Sequence, residues 1–363
     1  TNGGLSWSAI SPDLTRNDRS KQKWSGGPIT GDNTTVEFYD TLFSIAESRK
    51  QKGLLWVGSD DGLVHVSLDG GANWSNVTAA ISGLPDWGTV CCIEASPHDA
   101  GTAYVVVEAH RLDDMRPYLW KTTDFGKTWR SLTGGLDKSI YLHAVREDPK
   151  QKGLLYVGTE RGVLFSRDGG SSWQPLKLNL PTMAVNDLVV KDDDLVLGTQ
   201  GRSLWILDDL TPLRNWKPEV GRSDAHLFPV PAKVNYLFGG SADFAAGRYA
   251  GENPPAGAVI HYYLKKDHKE RTEPKTEPAL TEASSNSAQK PKPTEQGQIT
   301  LEVFDALGRL VRKVSDKPDP KEVDDEADSA GEDDKLPVKQ GVNRYVWDMR
   351  YKGAVTIPRA KVD

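Results

Sequence analysis

Residues 51–74 read QKGLLWVGSDDGLVHVSLDGGANW, and residues 151–173 resemble them closely as QKGLLYVGTERGVLFSRDGGSSW. Each copy holds a short apolar run, a tight polar turn (SDDG or TERG), a second run and a tip of the form Ser/Thr-x-Asp-x-Gly-x-x-Trp. The same tip recurs between the two copies, at residues 122–129. Three such tips at a spacing of about 50 residues, each following short strands, are typical of the blades of a β-propeller.

The tip is a structural motif whose chemistry is local. Its aspartate accepts backbone N–H groups inside a hairpin turn, its glycine takes a positive φ, and its tryptophan packs between adjacent sheets. A fourth, imperfect match from Asn2 to Trp7 predicts that the chain begins inside a motif and is a fragment of a longer protein. We assign a structural and not a catalytic role to Asp69, Gly71, Trp74, Asp124, Gly126, Trp129, Asp168, Gly170 and Trp173.

Strand-like runs predict four blades, at residues 41–79, 88–132, 141–177 and 184–209. The fourth blade lacks the tip, so its outer strand comes either from residues 225–232 or from an upstream part of the protein. A propeller leaves no exposed sheet edge only when its ring is closed, so the remainder of the propeller is expected upstream. Residues 1–210 are therefore predicted to form a partial β-propeller of about four blades plus a leftover strand.

The second half of the chain has a different composition. Residues 211–255 are rich in proline, glycine and charge and are predicted to connect two domains. Alternating runs in residues 256–363 predict an incomplete Ig-like β-sandwich. Two stretches within it, 267–298 and 316–337, are poor in apolar residues and are predicted to be disordered insertions. The whole chain is thus predicted to be all-β.

Charge and composition exclude several classes of protein. The formal net charge of the 363 residues is −6, but residues 322–334 hold eight acids and no base, so the remainder is nearly neutral. The sequence has neither the basic surface of a nucleic-acid-binding protein nor an apolar run long enough for membrane insertion. Alternation places the neighbours Cys91 and Cys92 on opposite faces of a strand, so we interpret them as buried thiols. No cofactor and no metal site is predicted.

The tip resembles the Asp-box (BNR) repeat of bacterial neuraminidases, and residues 1–240 resemble the sortilin-like, glycosyl hydrolase-like (xyloglucanase-like) propeller proteins of bacteria. This resemblance implies an extracellular or periplasmic location. Sialidases of this type use an arginine triad with a Tyr/Glu nucleophile pair, and the xyloglucanases use two aspartates that face each other across a cleft between two propellers. The resemblance rests on LFSIAES (42–48), GSDDGLVHV (58–66), EASP (94–97), HRLDD (110–114), RPY (116–118), KTTD (121–124), VREDP (145–149) and GRSLWILDD (201–209).

Candidate ligand-binding residues follow from strand direction. If strands 3 and 4 of each blade join at the Asp-box end, the connections between strands 2 and 3 and between successive blades lie together at the other end, the top face. The longest of these connections, EAHRLDDMRP (108–117), is dense in charge, and its alternative role is structural, with its charges paired inside the loop. The candidate site comprises Asp60, Asp61, Trp87, Glu108, His110, Arg111, Asp113, Asp114, Arg116 and Arg202; the same connections carry Asp32, Glu37, Tyr39, Asp40, Asp86, Tyr141, His143, Glu160 and Arg161.

Carboxylates, aromatic rings and arginines around a depression suit a glycan or a peptide ligand. The first hypothesis is a secreted, sortilin-like propeller that binds an extracellular peptide or glycan on its top face. The alternative is a glycoside hydrolase of the xyloglucanase or sialidase type acting on extracellular polysaccharide, for which the sequence assigns no catalytic residue. The third hypothesis is that the protein has a purely structural role in a larger envelope assembly.

Overall fold

The computed structural model describes residues 3–24, 26–29, 31, 38–233, 257–268, 298–317 and 335–351. The chain divides into two compact units, Thr1–Leu210 and Thr211–Asp363. The regular structure is nearly all β, as predicted: in the described part of the chain the α-helices are two short ones, α1 (Thr211–Arg214) and α2 (Pro218–Arg222). No helix among these residues is both long and apolar enough to span a bilayer.

The first unit is a succession of antiparallel sheets, here numbered 1 to 4. Each is a meander, so strands that follow one another in sequence are also neighbours in the sheet. This is the sheet pattern of a β-propeller. Sheet 1 comprises β1 (Leu42–Glu47), β2 (Leu55–Ser59), β3 (Val64–Ser67) and β4 (Ser75–Asn76); sheet 2 comprises β5 (Thr89–Ala95), β6 (Ala103–Glu108), β7 (Leu119–Thr122) and β8 (Arg130–Ser131); sheet 3 comprises β9 (Leu142–Glu147), β10 (Leu155–Thr159), β11 (Gly162–Ser166) and β12 (Gln174–Pro175); sheet 4 comprises β13 (Val185–Lys191), β14 (Asp194–Thr199) and β15 (Leu204–Leu207).

Apolar side chains fill the space between consecutive sheets, because alternate residues of each strand point to the two neighbouring sheets. Burying one large apolar side chain contributes roughly 1.5–3 kcal/mol, so these layers are the main source of stability in the first unit. The layer between sheets 1 and 2 contains Leu54, Trp56, Val64, Val66, Val90, Ile93, Val105 and Trp120; the layer between sheets 2 and 3 contains Tyr104, Val106, Leu119, Leu142, Val145, Leu155 and Val157.

A glycine in each copy of the long repeat lets the next sheet approach closely. Gly58 lies in β2, and a Cβ there would stand 2.3 Å from Val90 Cγ1 of sheet 2. Gly158 occupies the corresponding position in β10, where a Cβ would stand 2.4 Å from the Val185 carbonyl oxygen of sheet 4. A side chain at either position would push two sheets apart, which explains the Val-Gly pair in both copies.

The three Asp-box tryptophans are half-buried rather than fully buried. Trp129 meets Trp56 edge to face, with ring centroids 6.1 Å apart, and Trp173 packs beside the layer between sheets 2 and 3. The Trp173 indole N–H donates to the Leu132 carbonyl oxygen (2.8 Å), and that of Trp74 donates to the Ile10 carbonyl oxygen (3.1 Å). Trp129 and Trp173 therefore cover the edges of packed layers and keep one side in solvent, whereas Trp74 contacts the segment around Ile10.

The second unit contains a three-stranded antiparallel sheet and a hairpin. The sheet is formed by β16 (Ala225–Leu227), β17 (Ala258–Leu264) and β20 (Gly341–Trp347), and the hairpin by β18 (Thr300–Phe304) and β19 (Leu310–Ser315). Val314 of the hairpin packs with Ile260, Tyr262 and Tyr345 of the sheet. The Ig-like topology of this unit stays a prediction.

Two expectations about the second half of the chain need correction. Residues 225–227 pair with β17, so the segment 225–232 does not supply an outer strand to sheet 4. The insertions predicted at 267–298 and 316–337 lie mostly outside the described residues, but the ends of the second one are packed. Asp316 and Leu336 are 3% and 2% exposed, because Asp316 accepts the Ile299 N–H (3.0 Å) and Leu336 joins the core.

Candidate functional site

The connections between strands 2 and 3 and those that enter each sheet meet at one end of the first unit, the top face. The turn after β2 contacts the entry of its own sheet through Asp60, whose N–H donates to the Thr41 carbonyl oxygen (3.0 Å). The same turn contacts the next sheet, because the Thr89 hydroxyl donates to the Asp60 carbonyl oxygen (3.3 Å). Loops from sheets 1 and 2 therefore form a continuous surface.

Three carboxyl groups lie together on this surface and are called here the aspartate cluster: Asp40, Asp60 and Asp61. Asp60 is 6% exposed and accepts the Thr41 N–H at Oδ1 (2.8 Å). Asp61 is fully buried, with Oδ1 accepting the Ser59 hydroxyl and Oδ2 accepting the Arg16 N–H (2.5 Å). These bonds hold the carboxyl groups in fixed positions.

Burial raises the pKa of both Asp60 and Asp61, because the charged form loses its hydration. A hydrogen bond between the carboxyl groups of Asp61 and Asp40 raises the pKa of Asp61 further, since one of the two must carry a proton. The negative charge of Asp61 also raises the pKa of Asp60. The cluster thus retains a proton at a higher pH than ordinary aspartates and can donate a hydrogen bond as well as accept one.

An aromatic pair lies beside the aspartate cluster. Trp87 takes a left-handed backbone (φ +61°) and meets Tyr39 edge to face, with ring centroids 5.2 Å apart. The Trp87 ring is not free: the Arg16 guanidinium lies 4.5 Å and the Lys21 ammonium 5.2 Å from the ring centroid. Segment 16–22 of the chain therefore covers the ring that the sequence proposes for ligand stacking.

A second group joins sheets 2 and 3 at the top face and is called here the glutamate–histidine cluster: Glu108, His110, Tyr141 and His143. Glu108 contacts His143 Nδ1 through Oε1 (2.5 Å) and His110 Nδ1 through Oε2 (3.3 Å). Tyr141 stacks on His110 (4.6 Å between centroids) and meets His143 edge to face (5.1 Å). Burial and the nearby charges of Glu160 and Glu108 raise the pKa of Tyr141.

His143 is held in one tautomer by this contact. Glu108 accepts from Nδ1, so Nε2 is an unprotonated acceptor in the neutral ring. Nε2 is buried and has no hydrogen-bond partner among the described residues. Sequence analysis places His143 only in the wider set of top-face residues, and nothing in its local pattern indicates a pairing with Glu108, 35 positions earlier.

The rest of the long loop is organised by contacts within itself. Arg116 donates to Asp114 through Nε (2.8 Å) and Nη2 (2.6 Å), and the Tyr118 hydroxyl donates to the same carboxylate (2.7 Å). The hydrogen bonds from Arg116 hold the pKa of Asp114 well below its usual range. Arg111 and Asp113 are exposed, and Asp113 takes a left-handed backbone that ends a 3-10 turn. The pairing of Asp114 with Arg116 is the structural alternative considered above.

The remaining candidates are dispersed. Arg202 is exposed in the turn before β15 and is not brought to either cluster; its carbonyl oxygen accepts the Trp205 indole N–H (3.0 Å). Glu160 and Arg161 pair with each other (3.2 Å). Asp86 pairs with Arg16 (2.7 Å). Asp32 and Glu37 lie outside the described residues.

The Asp-box aspartates lie in the turns between strands 3 and 4, and their contacts are local. Asp124 accepts the Thr128 N–H (2.9 Å) and the Thr122 hydroxyl (2.8 Å), and Asp168 accepts the Ser172 N–H (2.8 Å). Hydrogen bonds from Thr128 lower the pKa of Asp124 to about 2. For Asp168, partial burial acts in the opposite direction, but bonds from Ser172 and Ser166 still lower its pKa to about 2.

A charged network that sequence analysis missed links the first strands of sheets 2, 3 and 4. The Arg146 guanidinium donates to Asp187 Oδ1 (2.8 Å) and to Cys92 Sγ (3.0 Å), and its Nε lies 3.9 Å from Glu94 Oε2. Burial raises the pKa of Glu94 to about 7, although the positive charges of Arg146 and Arg49 oppose the rise. The half-buried carboxyl group of Glu94 thus has a pKa near neutral pH.

The expectation for the two cysteines is only partly met. Both are free thiols whose pKa is raised by burial. Alternation would place them on opposite faces, but Cys91 Sγ lies 3.3 Å from the His143 carbonyl oxygen and Cys92 Sγ 3.8 Å from that of Val145, so both contact β9. The reason is a register irregularity of β5 between Thr89 and Cys92. The described residues contain no group of three or more His, Cys, Asp or Glu that could hold a metal ion.

No protein-family model matches this sequence. It is 33% identical to an oligoxyloglucan-reducing end-specific xyloglucanase of Emericella nidulans over 127 residues, which cover 32% of this chain and 15% of that enzyme. The chain thus spans a small part of the relative it matches. Among solved structures it is similar to an ancestral GH74 enzyme (13% identity, TM-score 0.38, 77% of this chain and 33% of that one), to the GH74 xyloglucanase from Xanthomonas campestris (15%, 0.36, 62% and 36%) and to YCF48 bound to D1 peptide (18%, 0.33, 43% and 48%).

Proposed function

We propose that the first unit is a ligand-binding propeller domain that holds a peptide or a glycan on its top face. One observation carries the proposal: loops from sheets 1, 2 and 3 place the aspartate cluster, the glutamate–histidine cluster and several aromatic rings at the same end of the unit. Carboxylates accept hydrogen bonds from hydroxyl or amide groups, and aromatic rings contact sugar faces or cations. Both elements of recognition are therefore present on one surface.

Binding is favoured over catalysis because a central carboxyl group in each cluster already has fixed partners. Glu108 is engaged by His143 and His110, and Asp61 by Ser59 and a backbone N–H. Such groups are pre-positioned, which lowers the entropic cost of binding. The proposal includes secretion to an extracellular or periplasmic site, as the family resemblance implies.

The test is a binding screen with the full chain. Neutral β-glucan oligosaccharides, acidic peptides and basic peptides are titrated by calorimetry against the unaltered chain and against Glu108→Gln, Tyr141→Ala and Trp87→Ala variants. A true ligand should lose about tenfold or more in affinity in at least one variant, or about 1.4 kcal/mol. Arg202→Ala is the matched control, because Arg202 is an exposed arginine of a 2–3 turn away from both clusters. Equal affinity in all variants, or no binding partner in the screen, would contradict the proposal.

A glycoside hydrolase is the second candidate, and the raised pKa of Asp60 and Asp61 favours it. A carboxyl group with a raised pKa can serve as the general acid that protonates a glycosidic oxygen. The partial similarity to a xyloglucanase supports the same choice of substrate class. Release of reducing ends from xyloglucan oligosaccharides is the assay. Activity that disappears in Asp60→Asn or Asp61→Asn while oligosaccharide binding persists would establish hydrolysis, and no release by the unaltered chain would reject it.

The proposal also includes a partner for the first unit, namely further sheets of the same propeller. Sheets 2 and 3 are covered on both faces, whereas the outer faces of sheets 1 and 4 carry exposed apolar side chains. Phe43 and Ile45 of β1 are 50% and 71% exposed, and Leu204 and Ile206 of β15 are 69% and 58% exposed. Contiguous apolar surface of this kind marks a contact site. Sheets of the same type from the remainder of the protein would bury it.

A further inference from the structure

We infer that the cleft formed by the aspartate cluster, Asp86 and Trp87 recognises a basic peptide anchored by an arginine, and that residues 16–22 of the chain occupy it as an internal competitor. This inference rests on the proposed function, since it concerns the same top face. The proposed function leaves the ligand as a peptide or a glycan, and this inference specifies a basic peptide.

Arg16 is the anchor of the bound segment. Its guanidinium lies 4.5 Å from the centroid of Trp87 and forms an ion pair with Asp86 (2.7 Å). Its backbone N–H donates to Asp61 Oδ2 (2.5 Å). Aromatic face, carboxylate partner and main-chain contact are together the recognition elements for an arginine within a peptide, because a planar guanidinium stacks and pairs at the same time.

The end of the segment supplies a second point of attachment. The Lys21 ammonium lies 5.2 Å from the same Trp87 ring, and the Gln22 side-chain amide donates to Asp40 Oδ2 (2.6 Å). Between the two points the chain turns back on itself, with the Lys21 N–H donating to the Asp18 carbonyl oxygen (2.9 Å). A peptide of about seven residues therefore spans the cleft.

The charges of the two partners are opposite. The cleft presents the exposed carboxylate of Asp86 beside the carboxyl groups of the aspartate cluster, in which Asp60 and Asp61 are buried and have a raised pKa. Residues 16–23 (RNDRSKQK) carry four basic side chains and one acidic one. Such complementarity favours binding of basic peptides and makes it sensitive to salt. A neutral glycan would gain nothing from the net charge of the cleft.

Part of the segment faces solvent and bonds mainly to itself. Asn17, Arg19 and Ser20 are exposed, and the side chains of Asn17 and Arg19 bond to Gln22 of the same segment. A ligand must compete with this internal occupant, so its apparent affinity falls in proportion to the fraction of molecules whose cleft is open. Weakening the segment should therefore strengthen binding of an external peptide.

The experiment uses a fluorescently labelled peptide of residues 13–23 (DLTRNDRSKQK) and the full chain. Its affinity is measured by anisotropy for the unaltered chain and for a chain carrying Arg16→Ala and Gln22→Ala, which frees the cleft. The second chain should bind the peptide about tenfold more tightly. A peptide with Arg16→Gln should bind about tenfold more weakly than the parent peptide, and Trp87→Leu in the freed chain should remove binding. Gln22→Ala alone provides a second freed chain should the double variant fail to fold.

Equal affinity of the unaltered and freed chains, or indifference to the peptide arginine, would overturn the inference. Neutral β-glucan oligosaccharides are titrated into the same freed chain. Oligosaccharide binding without peptide binding overturns this inference and leaves the proposed function standing. Absence of both overturns the inference together with the proposed function.

Discussion

Replacing Glu94 by glutamine should make the stability of the protein less dependent on pH. Glu94 lies in β5 with 21% of its side chain exposed, and burial raises its pKa from 4.5 to about 7. In the unfolded chain this carboxyl group has its ordinary pKa. Between the two values the unfolded chain releases a proton that the folded chain retains, so the folded state binds more protons and its stability falls as the pH rises.

The magnitude follows from the shift. A difference of about 2.5 pKa units corresponds to about 3 kcal/mol, since one unit is worth ~1.4 kcal/mol. This contribution is fully present below pH 4.5 and is lost by the time the pH passes 7. Glutamine keeps the shape of the neutral acid and cannot ionise. Relative to the unaltered protein, the Glu94→Gln variant should therefore gain about 3 kcal/mol between pH 4 and pH 8.

Urea unfolding followed by tryptophan fluorescence at several pH values measures this difference. Comparison of the same pair of proteins across pH cancels any constant effect of the substitution. Glu47→Gln, at an exposed position of β1, controls for the loss of one negative charge. Parallel stability profiles for the unaltered protein and Glu94→Gln would refute the reasoning, and so would a relative loss in the variant at high pH, which would mean that attraction to Arg146 outweighs burial.

Three further predictions concern the repeat. Trp173→Ala should cost about 2 kcal/mol in thermal or urea unfolding, below the ~3–5 kcal/mol of a fully buried aromatic, because the ring is half-buried; Trp7→Ala, at a 90% exposed position, is the control, and an equal effect of both would contradict the packing role. Gly158→Ala should lower the free energy of unfolding by about 1–3 kcal/mol, because it forces sheets 3 and 4 apart. Gly198→Ala is the control and should cost less, since its added Cβ would meet its nearest atom at 3.6 Å. Similar losses in the two variants would argue against the close approach of the sheets. Asp124→Ala should lower the melting temperature at neutral pH. The difference from the unaltered protein should disappear as the pH falls through about 2, since a lowered carboxyl pKa stabilises the fold only while the group is ionised in the folded state. A difference that persists below that pH would show that the carboxylate charge is not the cause.

Local patterns were sufficient for the framework of the first unit. The strands of sheets 1 to 3 fall within the predicted blade limits, and the hydrogen bonds of the Asp-box aspartates join residues no more than four positions apart, as between Asp124 and Thr128. The strands follow from alternating apolar residues and the turn contacts from short stretches of backbone, and both can be recognised in the amino-acid sequence. The prediction of a nearly all-β chain is confirmed for the same reason.

The pairings that give the top face its chemistry depend on how the sheets pack. Arg16 meets Trp87, Glu108 meets His143, and Arg146 meets Asp187, in each case across tens of residues and between different sheets or loops. Alternation indicates which side of a strand a residue occupies but not which side chain of the neighbouring sheet it meets, and one irregularity in β5 was enough to turn Cys91 and Cys92 toward the same strand. The sequence by itself determined the repeated hairpins, because their hydrogen bonds close within a few residues. The contact of Arg16 with Trp87, the raised pKa of Glu94 and the pairing of residues 225–227 with β17 were decided by the tertiary structure, because burial and long-range contacts exist only once separate elements have packed together.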